Sequence, residues 1–154
     1  MSYLSETVHI QVGDLVDDLG TPALFKAFLT NVARHGEPLG PGSVYPHLVK
    51  RLWQQGIDPD EAAAACLELA AARRVLQRLP ASQLWWDASM DTPAPAQRPG
   101  ASLDSCFVTP EGLNYFDVLD DALRAAAEEN TPARLQMQRQ EVALPLALPL
   151  PLAA

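Results

Sequence analysis

Asp58-Pro59-Asp60-Glu61 opens the stretch whose reading decides the fold, and Cys106-Phe107-Val108-Thr109-Pro110-Glu111-Gly112-Leu113-Asn114-Tyr115-Phe116 closes it. Asp58 is a natural N-cap with Pro59 at the first helical position, and the acids that follow suit the positive end of a helix dipole. An alanine-rich helical run then extends to Leu79, where Pro80 breaks it. Residues 82–88, around Trp85 and Trp86, have strand character. Residues 89–102 hold three prolines and Gly100, which marks a loop, and Leu103 to Val108 returns as a second strand. Thr109 then reads as an N-cap with Pro110 at the first helical position. Leu113, Phe116, Leu119, Leu123 and Ala127 line one face of the helix beyond. The order is helix, strand, loop, strand, helix.

Working outward toward the N-terminus, Val8, Ile10 and Val12 alternate at period two and predict a short strand or an extended arm. Gly13 and Gly20 bracket Asp14 to Leu19, read as one or two helical turns. Thr21 and Pro22 start a helix whose apolar face is Leu24, Phe25, Phe28, Leu29 and Val32, with Gly36 and Pro38 ending it. Ser43 can cap a second helix, in which Pro46 falls within the first turn, and Gly56 stops it. The tight turn from this helix into the one after Asp58 has helix-turn-helix geometry, although any small helical bundle can contain such a turn.

Working outward toward the C-terminus, Thr131-Pro132 repeats the cap-and-proline signal and predicts a helix through about Val142. Residues 144–154 are a Leu/Pro-rich tail whose three prolines favour an extended arm. The expected organisation is therefore an acidic segment at 1–20, a domain at 21–129, a helix within 130–143 and a flexible tail. The expected fold class is mostly α, with a small antiparallel β-hairpin and flanking helices.

That order of elements over residues 21–129 resembles bacterial winged-helix proteins of the MarR and PadR type. Cys66-Leu-Glu-Leu-Ala-Ala-Ala-Arg-Arg-Val-Leu-Gln-Arg resembles the end of their recognition helix, and Phe107-Val-Thr-Pro-Glu-Gly-Leu-Asn-Tyr-Phe their second wing strand and next helix. The resemblance implies a dimeric DNA-binding transcriptional regulator. In that role Arg73, Arg74 and Arg78 would hold phosphates, Gln77 would face bases, and Arg98 would be the basic residue of the wing. The sequence departs from the pattern in the alanine content of the third helix and in a wing with only one basic residue.

Composition bears on the same choice. The net charge of the 154-residue chain is −8, against sequence-blind nucleic-acid binding. Residues 1–20 carry four acids and no Lys or Arg, and residues 104–129 carry seven acids against Arg124 alone, whereas 43–79 are nearly balanced. The alternative function is an acidic interaction module, an adaptor or assembly subunit without DNA binding, presenting Trp85 and Trp86 to a protein partner. A homodimer is expected, built from the N-terminal segment and the helices at 110–129 and 132–142.

No nucleophile setting, metal spacing or phosphate-cradling glycine loop is legible, so no catalytic residue, metal or cofactor is expected and the chain reads as a non-enzyme. His9, His35 and His47 read as ordinary residues, and Cys66 and Cys106 as inert thiols or, less simply, a redox pair. Two cysteines without a disulfide framework, no leader-like start and no apolar run of membrane length predict a cytoplasmic protein that does not enter a membrane.

Overall fold

The computed structural model describes residues 2–88, 94–95 and 97–143, so the expected tail at 144–154 lies outside the described residues. The architecture is α+β rather than mostly α. A three-stranded antiparallel sheet in the order β2-β1-β3 is built from β1 (Ser2–Val12), β2 (Leu15–Gly20) and β3 (Ala133–Ala143). Helices pack on one face of it. Val8, Ile10 and Val12 are fully buried on that face, opposite Met137, Leu135 and Ala133 of β3. His9 and Gln11, with Gln136 and Arg134 across from them, form the other, polar face. One face packed and one face wet is the usual economy of an antiparallel sheet.

Three sequence expectations change here. Asp14 to Leu19 is not helical. Gly13 takes φ +58° at the first position of a two-residue turn, as primed hairpin turns require, and the chain returns as β2 with Leu15 opposite Val12. The helix expected at 132–142 is β3, which pairs with β1 along its whole length. The hairpin expected at 82–88 and 103–108 does not form. Ala81–Gln83 and Leu103–Cys106 are short 3₁₀ turns, tied by Ala81 N–H to Ala101 C=O at 2.9 Å and Leu103 N–H to Leu79 C=O at 2.8 Å. There is thus no wing and no winged helix among the described residues; the strands come from the two ends of the chain.

The helices follow local signals more closely. Helix α1 (Pro22–Gly36) is capped by Thr21, whose hydroxyl accepts from Leu24 N–H at 3.2 Å. The second helix is short and wide at first: a π-helical turn over Pro46–Arg51 runs into α2 (Leu52–Gln54), entered from Tyr45 rather than Ser43. The buried carboxylate of Glu37 anchors the approach by accepting N–H groups of Gly42, Val44 and Tyr45 at 2.8–2.9 Å. Pro59–Glu61 forms a 3₁₀ turn into α3 (Ala62–Gln77). Helix α4 (Tyr115–Glu129) starts five residues later than the Thr109 signal implies. Thr109 to Leu113 close a separate turn, and Asn114 caps the helix by accepting Phe116 N–H at 2.8 Å.

Phe28 of α1 is the hub of the core. Phe107, Tyr115 and Phe116 meet its ring edge-on at 5.1–5.4 Å between centroids, and Phe25 stacks on Trp53 at 5.6 Å. Such pairs add about 0.5–1.5 kcal/mol each beyond area burial. Alanines fill the narrow spaces: Ala62, Ala65 and Ala72 of α3 are buried, as are Ala122 and Ala126 of α4. The alanine run is thus a packing surface that lets helices approach closely.

Candidate partner-binding surface

Ala133 is the point at which one end of the molecule is assembled. It faces Val12 of β1 on one side, and on the other it exchanges hydrogen bonds with Ile57 at 2.8 and 2.9 Å. A Cβ on Gly13 would touch Thr131 at 3.9 Å, so the β1–β2 turn lies beside the chain leaving α4. Helix α4 stops at Asn130, which adopts φ +51°, a left-handed cap. Three distant segments therefore end side by side. They bring the exposed residues Asp14, Asp58, Asp60, Glu128 and Glu129 to one end of the fold.

The carboxylates of Asp58, Asp60 and Glu61 lie within 4.8 Å of one another. Glu61 is already engaged, by Arg51 and by His47 Nε2 at 3.3 Å. Glu68 holds the other side of that ring: its carboxylate binds His47 Nδ1 and accepts the His47 backbone N–H at 2.9 Å. This partly buried network fixes the start of α3 and leaves Asp58 and Asp60 facing solvent. Like charges held together on a surface stabilise an approaching cation and repel another acid. Nothing local in the sequence marks this end, because its residues come from positions 14, 58–60 and 128–129.

The residues singled out from sequence are scattered. Arg73 is a clamp between helices: it bonds Asp117 at 2.7 Å, lies 3.9 Å from Asp104, and sits over the Phe116 ring at 5.7 Å. Its charge is met inside the protein. Arg74 is exposed on α3. Gln77, Arg78 and Arg98 do meet, along one cleft of about 560 Å³ beside the 3₁₀ turns.

Trp85 and Trp86 are half-buried in an extended segment. Asn31 of α1 grips Trp85 through the backbone, and Arg34 lies over its ring at 5.9 Å. Trp86 packs against the core and lines a cavity of about 810 Å³ with Thr21, Leu24, Cys106, Thr109 and Asn114. Burial first, then the charge of Asp120, pushes the Cys66 thiol up, and burial followed by Asp104 does so for Cys106. Both thiols are therefore poor nucleophiles at neutral pH. No helix of the described residues is long and apolar enough to cross a membrane.

No curated protein and no solved structure matches the chain. A family model described as Immunity protein 70 (Imm70) does match, over residues 10–135, from the last residues of β1 to the start of β3. This overturns the resemblance to MarR and PadR regulators, and with it the reading as a DNA-binding protein in transcription regulation. The match covers most of the chain and all the helices, and the chain belongs to the immunity protein 70 family.

Proposed function

We propose that this chain is an immunity protein that binds a toxin protein and blocks it by occupying its surface, without catalysis of its own. The observation that carries the reading is the family match over residues 10–135. It keeps the interaction-module alternative drawn from the sequence and discards DNA. We place the toxin-facing surface at the acidic end, around Asp58 and Asp60, with Asp14, Glu128 and Glu129 beside them.

The net charge of −8 and this concentration of exposed acids favour a partner with a basic face. Complementary fields raise encounter rates well above those of neutral surfaces, which suits an inhibitor that must act before its target does. The free thiols fit work in a reducing compartment.

The test is co-expression. Each protein encoded beside this gene is produced alone, and one that arrests growth is then produced with this chain. Restored growth, together with a purified one-to-one complex, is the expected result. A toxin whose growth arrest persists while this chain accumulates in soluble form would overturn the reading.

A further inference from the structure

One stretch of the chain runs against its overall charge. Residues 21–57 hold Lys26, Arg34, Lys50 and Arg51 against a single acid, Glu37, in a protein of net charge −8. Lys26 and Lys50 are the only lysines of the chain. Arg51 is engaged by Glu61, and the carboxylate of Glu37 is buried among the three loop N–H groups it accepts. Lys26, Arg34 and Lys50 are exposed, and among the described residues they belong to no ion pair.

Two of these cations flank a groove of about 570 Å³, which lies between α1 and the loop that leads into the second helix. Leu29 and Ala33 of α1 form its floor with Val49 and Trp53, and Pro38 and Pro41 line it from the loop. Lys26 stands at one end, its ammonium 5.6 Å from the centre of the Trp53 ring, and Arg34 stands about two turns further along α1. Lys50 lies across Gly42 of the same loop, where an added Cβ would meet its Cδ at 2.7 Å. Leu39, between Pro38 and Gly40 on the rim, is 91 % exposed. An apolar floor with charges of one sign around it has the composition of a docking site.

We propose that this groove docks an extended, acidic segment of a partner protein, with one bulky apolar side chain on the floor and a carboxylate at each of Lys26 and Arg34. Eight residues of helix separate the two cations by about 12 Å along the axis of α1. In an extended chain residues i, i+2 and i+4 point to one face, and the outer two are about 13 Å apart. The matching sequence is therefore acid-x-apolar-x-acid. The cations select acids over bases, and the floor, which cannot solvate a phosphate or a sugar, selects a peptide over a nucleic acid. The groove uses none of the residues of the acidic end and does not rest on the toxin reading, so either can fail alone.

The probe is acetyl-Ser-Glu-Ser-Phe-Ser-Glu-Ser-amide, titrated at low salt into the isotope-labelled full chain and followed by NMR. The indole N–H signal of Trp53, identified by its loss in Trp53→Phe, should move saturably, with half-saturation below about 2 mM. Exchanging both Glu of the peptide for Lys, or its Phe for Gly, should abolish the saturable shift. Lys26→Glu with Arg34→Glu in the protein should abolish it too, and Lys26→Gln with Arg34→Gln decides the matter if the reversed pair does not fold. Arg78→Glu with Arg98→Glu makes the same change of net charge in the separate cleft beside the 3₁₀ turns and should leave the titration unchanged. The proposal is overturned by no saturable shift, by equal binding of the lysine peptide, or by a shift that survives loss of the Lys26 and Arg34 charges. Equal loss in the Arg78 and Arg98 pair, or tighter binding of a thymidine decanucleotide at Trp53, would overturn it as well.

Discussion

Asn31 and Trp85, 54 residues apart, are joined by a two-way amide clamp: Asn31 Oδ1 accepts Trp85 N–H at 2.8 Å, and Asn31 Nδ2 donates to Trp85 C=O at 3.0 Å. The same Nδ2 donates to Ala27 C=O at 2.7 Å, and the side chain is fully buried. This one residue stands in for the strand pairing expected of the 82–88 segment. Asn31→Leu keeps the size and removes the clamp, leaving the two backbone groups of Trp85 without their partner. We expect a loss of about 2–4 kcal/mol in urea unfolding followed by tryptophan fluorescence. A loss below about 0.5 kcal/mol would show that water replaces the amide freely.

Gly56 is the second fixed point. It adopts φ +86°, and a Cβ there would meet Ala133 C=O at 2.6 Å and Arg134 Cγ at 2.9 Å. Gly56→Ala therefore meets both backbone strain and a clash with the strand to which Ile57 is bonded. We expect a cost of at least about 2 kcal/mol and faster amide exchange at Ile57 and Ala133. Gly40→Ala is the matched control: it also replaces a glycine at positive φ, but nothing lies within 4 Å. It should cost less.

These two residues show which parts of the fold were legible. Val8, Ile10 and Val12 announced β1, and Thr21 with Pro22 announced α1, because in each case the local signal and the tertiary packing agree. Residues 131–143 carry two signals. Thr131-Pro132 imitates a helix start, while Leu135 and Met137 alternate as in a strand. The choice is made by β1, more than 120 residues away, which a local reading cannot weigh. Thr109-Pro110-Glu111-Gly112 imitates a helix start in the same way. Gly112 at φ +88° closes a turn instead, and Asn114 takes over as the cap. The acidic end was illegible for a topological reason, since charge summed by segment does not reveal which segments finish side by side.

The buried tyrosines set an upper pH limit on stability. Burial first, and the charge of Asp18 second, raises the pKa of Tyr115, whose hydroxyl donates to Leu19 C=O. Tyr45 is raised by burial and then by Glu37. A phenol raised in the folded state contributes its full stability below its unfolded value of 10.0 and loses it as pH climbs toward the folded value. Stability should therefore fall above about pH 10. Tyr115→Phe should lower stability at pH 8 by about 1–2 kcal/mol, through the lost hydrogen bond, and flatten the alkaline fall. Melting temperatures from pH 8 to 11 test this. An equally steep fall in the variant would assign the effect to other groups.

The acidic end makes the most direct claim about the partner. If Asp58 and Asp60 face a basic surface on the toxin, they act mainly on encounter, because both are exposed and salt screens them. Asp58→Lys with Asp60→Lys should slow association with the toxin about tenfold or more at low salt. The wild-type rate should fall steeply between about 50 and 500 mM salt, over which the screening length shrinks severalfold, while the variant's rate should barely change. Dissociation should move less than association. Net charge alone would give a similar result from any site, so the control is Ser82→Lys, Gln97→Lys and Glu111→Lys. These three exposed positions lie away from the acidic end, two of them beside the C-terminal end of α3, and they raise the net charge by the same amount. Stopped-flow association of the two variants with the toxin separates the cases. Equal slowing would mean that the field of the whole protein steers the encounter and would remove the acidic end as the binding face, whereas slowing confined to the Asp58 and Asp60 variant would place the toxin there.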